Sequence, residues 1–202
     1  MTHGSLEALR SLALRHLSPE VAEEWLGLLR PGVRLEVAAG SDHAVGRLGG
    51  LPVLPATAEW PVWGAYGPLS FVASIDCARL PTDALDTNLP AVGTLLFFCF
   101  DGQLDDGRAL VLAEDRESWA GAHVLYVAAD EEVAERGAPP GLKPYPMVPL
   151  AARVEMTAAE PWHPSVRAAF APGAPLGNRY DHPVCSQEFR RFERAMFTWQ
   201  CS

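Results

Sequence analysis

The chain has 202 residues, 49% of them apolar and 20% charged, which fits one globular domain of ordinary composition. Its formal net charge of −9 argues against a nucleic-acid backbone as partner, and no run reaches the ~18 apolar residues of a membrane helix. The opening "MTHGSLEALR" lacks a positive segment followed by an apolar run, so a cytoplasmic protein is expected, with Cys77, Cys99, Cys185 and Cys201 as reduced thiols.

The first thirty residues predict two helices. Leu6, Leu9, Leu12 and Leu17 keep a helical apolar stripe up to "SPEVAEEW". There Ser18 can cap a second helix, Pro19 suits its first position, and Glu20, Glu23 and Glu24 favour its positive end. Val21, Trp25, Leu28 and Leu29 then share one face until Pro31.

After Gly32 the texture changes to short strands separated by Gly and Pro, beginning with "RLEVA" (34–38). The next stretch, "GRLGGLPVLPATAEWP" (46–61), contains a G-x-x-G-G pattern without the Lys and Ser/Thr of a phosphate loop. It leads into Leu51-Pro52, so no helix N-terminus is available to hold an anion. It reads instead as an ordered, proline-stiffened approach to the sheet, with Arg47 held by a carboxylate (Glu59 or Asp76) or by backbone carbonyls. Trp60, Trp63 and Tyr66 form either a minicore under a loop or the wall of a binding groove.

"PLSFVASID" (68–76) places Leu69, Phe71, Ala73 and Ile75 on one face, and "GTLLFFCFD" (93–101) is apolar on both. The two are expected to be neighbouring strands, the second central and covered on both sides, with Phe71, Ile75, Leu95 and Phe97 buried. "RALVLA" and "HVLYVAA" predict further strands. In "MVPLAARVEMT", Val148, Leu150, Ala152, Val154 and Met156 alternate with polar Arg153 and Glu155, as in a half-exposed strand. The stretches 137–149 and 171–183 predict surface loops. Phe189, Phe192 and Met196 then share a face of a short helix. The class predicted is α+β in a single domain: an N-terminal helical segment (1–31), a mainly antiparallel sheet core (32–157), and a loop, short C-terminal helix and final strand (158–202).

Chemistry-bearing residues are few. Asp76 and Asp101 each follow an apolar strand, as turn or cap residues or as an acid/base pair. His163 and His182 both precede proline, and "HPVC" (His182 to Cys185) has a spacing that zinc sites use, but no second pair of comparable spacing completes four ligands. No metal and no cofactor are therefore expected. There is no G-x-S-x-G elbow, and Cys77 or Cys99 near His123 is the remaining nucleophilic pairing. Cysteines in such apolar surroundings are more often inert core residues.

At "VGRLGGLPVLP...EWP", "GPLSFVASIDCARLP" and "GTLLFFCFD" the sequence resembles the YwqG-like family, a bacterial group of unknown function. The likeness extends through "HVLYVAA", more loosely through "VPLAARVEM", and to the closing "RRFERAMFTWQCS". The family's second hydrophobic half, with its leucine-rich strand and acidic turn, has no counterpart after "EPWHPSV". The resemblance thus implies the fold of residues 32–156 and carries over no catalytic residue.

With no catalytic constellation to assemble, the expected function is a non-catalytic binding or interaction module. Arg47, Trp60, Trp63, Tyr66 and Asp76 are its candidate binding residues, and a protein or small ligand is its partner, with neither nucleic acid nor membrane involved. The alternative is a small hydrolase-like or transferase-like enzyme using Asp76, Asp101 or His123.

Overall fold

A computed structural model describes residues 5–112, 115–159, 163–170 and 187–200. Two compact units emerge. One comprises the described residues up to Arg34, Asp83–Asp86, and those from Val154 onward; the other comprises Leu35–Thr82 and Thr87–Arg153.

The first unit is largely helical. Helix α1 (Leu6–His16) starts at Ser5, whose hydroxyl accepts the Ala8 N–H at 3.2 Å, as an N-cap should. Helix α2 (Pro19–Leu26) follows with Pro19 in its first turn. Leu9, Leu12, Leu17, Trp25 and Leu29 are buried, whereas Leu6 stands in solvent at the start of its stripe. Trp25 meets Phe192 edge-on at 4.7 Å, and Phe189 and Phe192 share the inward face of the C-terminal helix. A helix not anticipated from sequence, α3 (Pro164–Phe170), adds Val166 to this core.

The C-terminal helix, α4 (Gln187–Gln200), corrects an expectation: it occupies residues assigned in part to a final strand. "QEFRRFERAMFTWQ" holds no Gly or Pro and is rich in helix formers, so nothing local stops it. The stretch 171–183 lies outside the described residues.

The second unit is built on an antiparallel sheet, which confirms the α+β class. Its strands are β1 (Arg30–Val37), β2 (Ala44–Leu48), β6 (Ser70–Asp76), β7 (Thr94–Cys99), β8 (Ala122–Val127) and β10 (Val148–Thr157), in the order β1-β10-β2-β6-β7-β8. The ends of β1 and β10 also supply residues to the first unit. Two small antiparallel ribbons accompany the sheet, β3 (Val53–Pro55) with β9 (Val133–Glu135), and β4 (Val62–Trp63) with β5 (Gly67–Pro68). No helix of the described residues is long and apolar enough to cross a membrane.

The glycine-proline stretch joins the sheet only through its first three residues, 46–48 in β2, while 53–55 form β3 of a separate ribbon. Gly46 sits in β2 opposite Ile75, and a Cβ there would lie 2.1 Å from the Ser74 carbonyl oxygen. Gly49 ends the strand at φ +61, donates its N–H to the Val72 carbonyl at 2.8 Å, and leaves no room for a side chain against Pro146.

Strands β6 and β7 are neighbours, as their patterns predict. Between Phe71 and Ala73 the register shifts. Phe71 pairs with Phe98, but Ala73 pairs with Phe97 and Ile75 with Leu95. A bulge thus turns Ser74 and Asp76 onto the face of Phe71 and Phe98, and sends Ala73 and Ile75 to the other. Leu54, Leu69, Phe71, Leu96, Phe98, Phe100 and Val127 form the core on that side.

Three strand expectations need correction. Phe71 and Ile75 are buried, but Leu95 and Phe97 are only half-buried, and Leu96 and Phe98 take the core positions. A strand apolar on both faces does not reveal which parity faces the core. In β10 the expected alternation fails at its far end, where Val154 is exposed and Glu155 is buried against Arg34 at 2.8 Å; the register shift at Leu150/Ala151 places its extra residue, Val45, on β2. Residues 108–112 of "RALVLA" form no strand, although Ala109 and Val111 still pack on the core.

Candidate ligand-binding site

The bulge has a chemical consequence. Cross-strand pairing lines up Arg47, Ser74 and Leu96 in one row on a single face, with Asp76, Thr94 and Val127 in the next. These six residues line a pocket of about 400 Å³, closed at its sides by Val45, Val53, Val133 and the Ala128–Glu131 turn. A volume of that order suits a small ligand.

Each charged group at the pocket has a distinct arrangement. Asp76 accepts the Ala78 N–H at 3.0 Å with one oxygen and meets Arg79 Nε at 3.1 Å with the other. Arg79 also donates to the Ala44 carbonyl at 2.9 Å. Glu131, at the exposed rim, accepts the Ala128 N–H at 3.3 Å. Arg47 donates Nε to the Gly49 carbonyl at 3.4 Å and Nη2 to the Leu51 carbonyl, and its guanidinium lies 5.8 Å from the Phe71 ring centre. It is therefore held by backbone carbonyls. The carboxylates first named for it do other things: Asp76 pairs with Arg79, and Glu59 is exposed.

Ser74 is 8% exposed, lines the pocket, and has no hydrogen-bond partner for its hydroxyl among the described residues. Thr94 Oγ1 is likewise unpaired. A buried hydroxyl facing an open pocket is satisfied by whatever fills that pocket. Neither residue is among those singled out from sequence. The available signal was one serine inside the apolar run "FVASID".

The aromatic residues lie apart from this pocket's lining. Trp60 donates its indole N–H to the Leu69 carbonyl at 2.8 Å and packs edge-on against Phe98 at 5.5 Å. Trp63 stacks on Tyr66 at 4.3 Å and meets Phe100 at 5.4 Å. Tyr66 alone of the three is exposed, at 49%. Of the five predicted binding residues, the structure thus brings Arg47 and Asp76 to the pocket and gives Trp60 and Trp63 packing partners in the core.

The catalytic combinations considered from sequence are not assembled. Asp76 pairs with Thr94 at one end of the β6–β7 hairpin, while Asp101 follows Cys99, the partner of Ser70, at the other. Six strand residues, roughly 20 Å, lie between those ends, about twice the widest spacing of an acid/base carboxylate pair. Cys99 is opposite Ala122, so it occupies the other face of the sheet from His123, the partner of Phe98. Burial, and then the charge of Asp101, push the Cys99 thiol up; burial and Asp76 do the same to Cys77. Both thiols are therefore protonated and weakly nucleophilic near neutral pH.

At its own end, Asp101 is tied in. Tyr145 donates its hydroxyl to the carboxylate at 2.5 Å and Gln103 its amide at 2.7 Å. Gln103 in turn reaches Ser70 at 3.2 Å and accepts the Lys143 N–H at 2.9 Å. Burial raises the carboxyl's pKa, but hydrogen bonds from Tyr145, Gln103 and Ser70 outweigh it, and the group ends below its usual range. The bond to Asp101, reinforced by burial, raises that of Tyr145.

Among the described residues no group of three or more His, Cys, Asp or Glu is placed to hold a metal ion. His182 and Cys185 lie outside those residues. His163 accepts the Ser165 N–H at 3.2 Å at the start of α3.

No curated protein matches the chain significantly. A family model described as a domain of unknown function (DUF1963) matches residues 46–178, which include Arg47 and all the pocket-lining residues except Ala44 and Val45. The chain belongs to that family, the domain of unknown function DUF1963.

Proposed function

We propose that this protein is a non-catalytic binding module of the cytoplasm whose ligand is a small molecule held in the pocket on the β2–β6–β7 face. The observation that carries the reading is Ser74, a residue 8% exposed that a bulge turns into a roomy pocket, whose hydroxyl has no partner among the described residues. The oxygen opens onto the pocket, so water or a bound molecule completes it, and a ligand offering a matching polar group gains orientation there. The apolar walls from Val45, Val53, Leu96, Val127 and Val133 supply area for burial, and the few polar groups supply orientation. The free thiols of Cys77 and Cys99 accord with a reducing compartment. A separate protein-docking role for the Trp63–Tyr66 edge has less support, because both rings pack on Phe100 and on each other.

The test is native mass spectrometry of the protein purified from its own host, beside a Ser74→Leu variant whose side chain intrudes on the pocket beside Arg47. The expected result is a bound small molecule on the native chain that is lost from a variant with unchanged circular dichroism. A native chain free of any small molecule counts against the reading.

A further inference from the structure

We infer that the ligand presents a carboxylate to Arg47 and Ser74 and an aliphatic body to the valine walls; this rests on the pocket being the binding site. The guanidinium of Arg47 is fixed by two carbonyls and the Phe71 ring, which leaves Nη1 without a partner among the described residues. Carbonyls satisfy donors but carry no compensating charge. Of the two arginines on the pocket, Arg79 has its carboxylate in Asp76, whereas Arg47 has none among the described residues. Glu131 sits at the exposed rim, where water screens it.

Ser74 is the direct cross-strand neighbour of Arg47, so the two side chains start about 5 Å apart on the same face. Both residues line the pocket, and one guanidinium N–H group together with one hydroxyl matches the two oxygens of a single carboxylate. Thr94, one row further on, offers a third donor. A dianionic phosphate fits less well: one uncompensated cation does not balance it, and Asp76 lies beside the site. The lining contains no aromatic ring, so a flat aromatic ligand would find no stacking partner. An aliphatic chain would contact Val45, Val53, Leu96, Val127 and Val133.

Isothermal calorimetry and amide chemical-shift mapping with hexanoate and hexanamide test this on the full chain. Hexanoate is expected to shift β2, β6 and β7 resonances and to bind about tenfold more tightly than hexanamide, the usual worth of a charge-assisted hydrogen bond. Arg47→Gln should abolish the preference. Because Arg47 also holds two carbonyls, Ser74→Ala supplies a second variant that breaks no protein contact. It should weaken hexanoate several-fold and leave hexanamide unchanged. Equal affinity for acid and amide overturns the carboxylate assignment while leaving the pocket as a binding site. Binding of neither compound also overturns the inference, whereas the pocket reading itself fails separately, if the native protein carries no small molecule.

Discussion

The two ends of the β6–β7 hairpin each carry an aspartate at the close of an apolar strand, yet they are built to opposite rules. At the Asp101 end, each polar side chain has a partner: Tyr145, Gln103 and Ser70 form one network that also takes up the Lys143 backbone. At the Asp76 end, the carboxylate is satisfied but Ser74, Thr94 and the Nη1 of Arg47 have no partner among the described residues. A saturated network ties loops to a sheet; an unsaturated one that opens onto a pocket leaves its donors and acceptors to whatever occupies that pocket. An aspartate at a strand end is thus no sign of function by itself. What distinguishes the ends is the count of unmet donors and acceptors around each.

The largest effect is expected in the core shared by both ends. Phe98 is 2% exposed, edge-on to Trp60 and to Phe71, the ring under Arg47. Phe98→Ala should cost about 4 kcal/mol in a urea titration, and Phe97→Ala, on the half-buried face, about half of that. Equal losses would show that the faces have been assigned wrongly.

Next in size is the contrast between the two polar clusters. Tyr145→Phe and Asp101→Ala should each lower stability by about 1 kcal/mol, since the hydrogen bonds they remove are partly exposed. Ser74→Ala should leave stability unchanged within about 0.5 kcal/mol, or raise it, because no protein bond is lost. A destabilising Ser74→Ala in thermal denaturation would mean that the hydroxyl has a structural partner, and the distinction between the ends would fall.

The smallest effect expected is in pH dependence. Asp101 is held below its ordinary pKa of 3.8, so its contribution is complete above that value and is lost as pH falls through the lower folded value. Tyr145 is raised from 10.0, so its contribution is complete below 10.0 and is lost as pH rises through the folded value. Melting curves of wild type and Asp101→Asn should therefore converge at acid pH and separate toward neutrality. Curves that stay parallel from neutral pH to pH ~2 would remove the Asp101–Tyr145 bond from the account.

Much of the fold was legible. The N-terminal helices carry their own caps and apolar stripes, and helices are decided by contacts three or four residues apart. The pairing of 68–76 with 93–101 followed from two apolar strand patterns of matching length. The site was less so. Arg47 and Asp76 stood out as charges beside glycines and at a strand end, but Ser74 and Thr94 look like ordinary strand residues until their faces are known.

Local sequence thus determined the two N-terminal helices and that two central strands lie side by side, but neither α3 nor the full reach of α4. The tertiary structure alone decided which faces they show. Strand periodicity is two, so a single extra residue between Phe71 and Ala73 reverses everything downstream of it relative to β7. That reversal brings Ser74 beside Arg47 and Asp76 into the pocket lining, and a bulge is a property of two paired strands that neither strand's own residues declare.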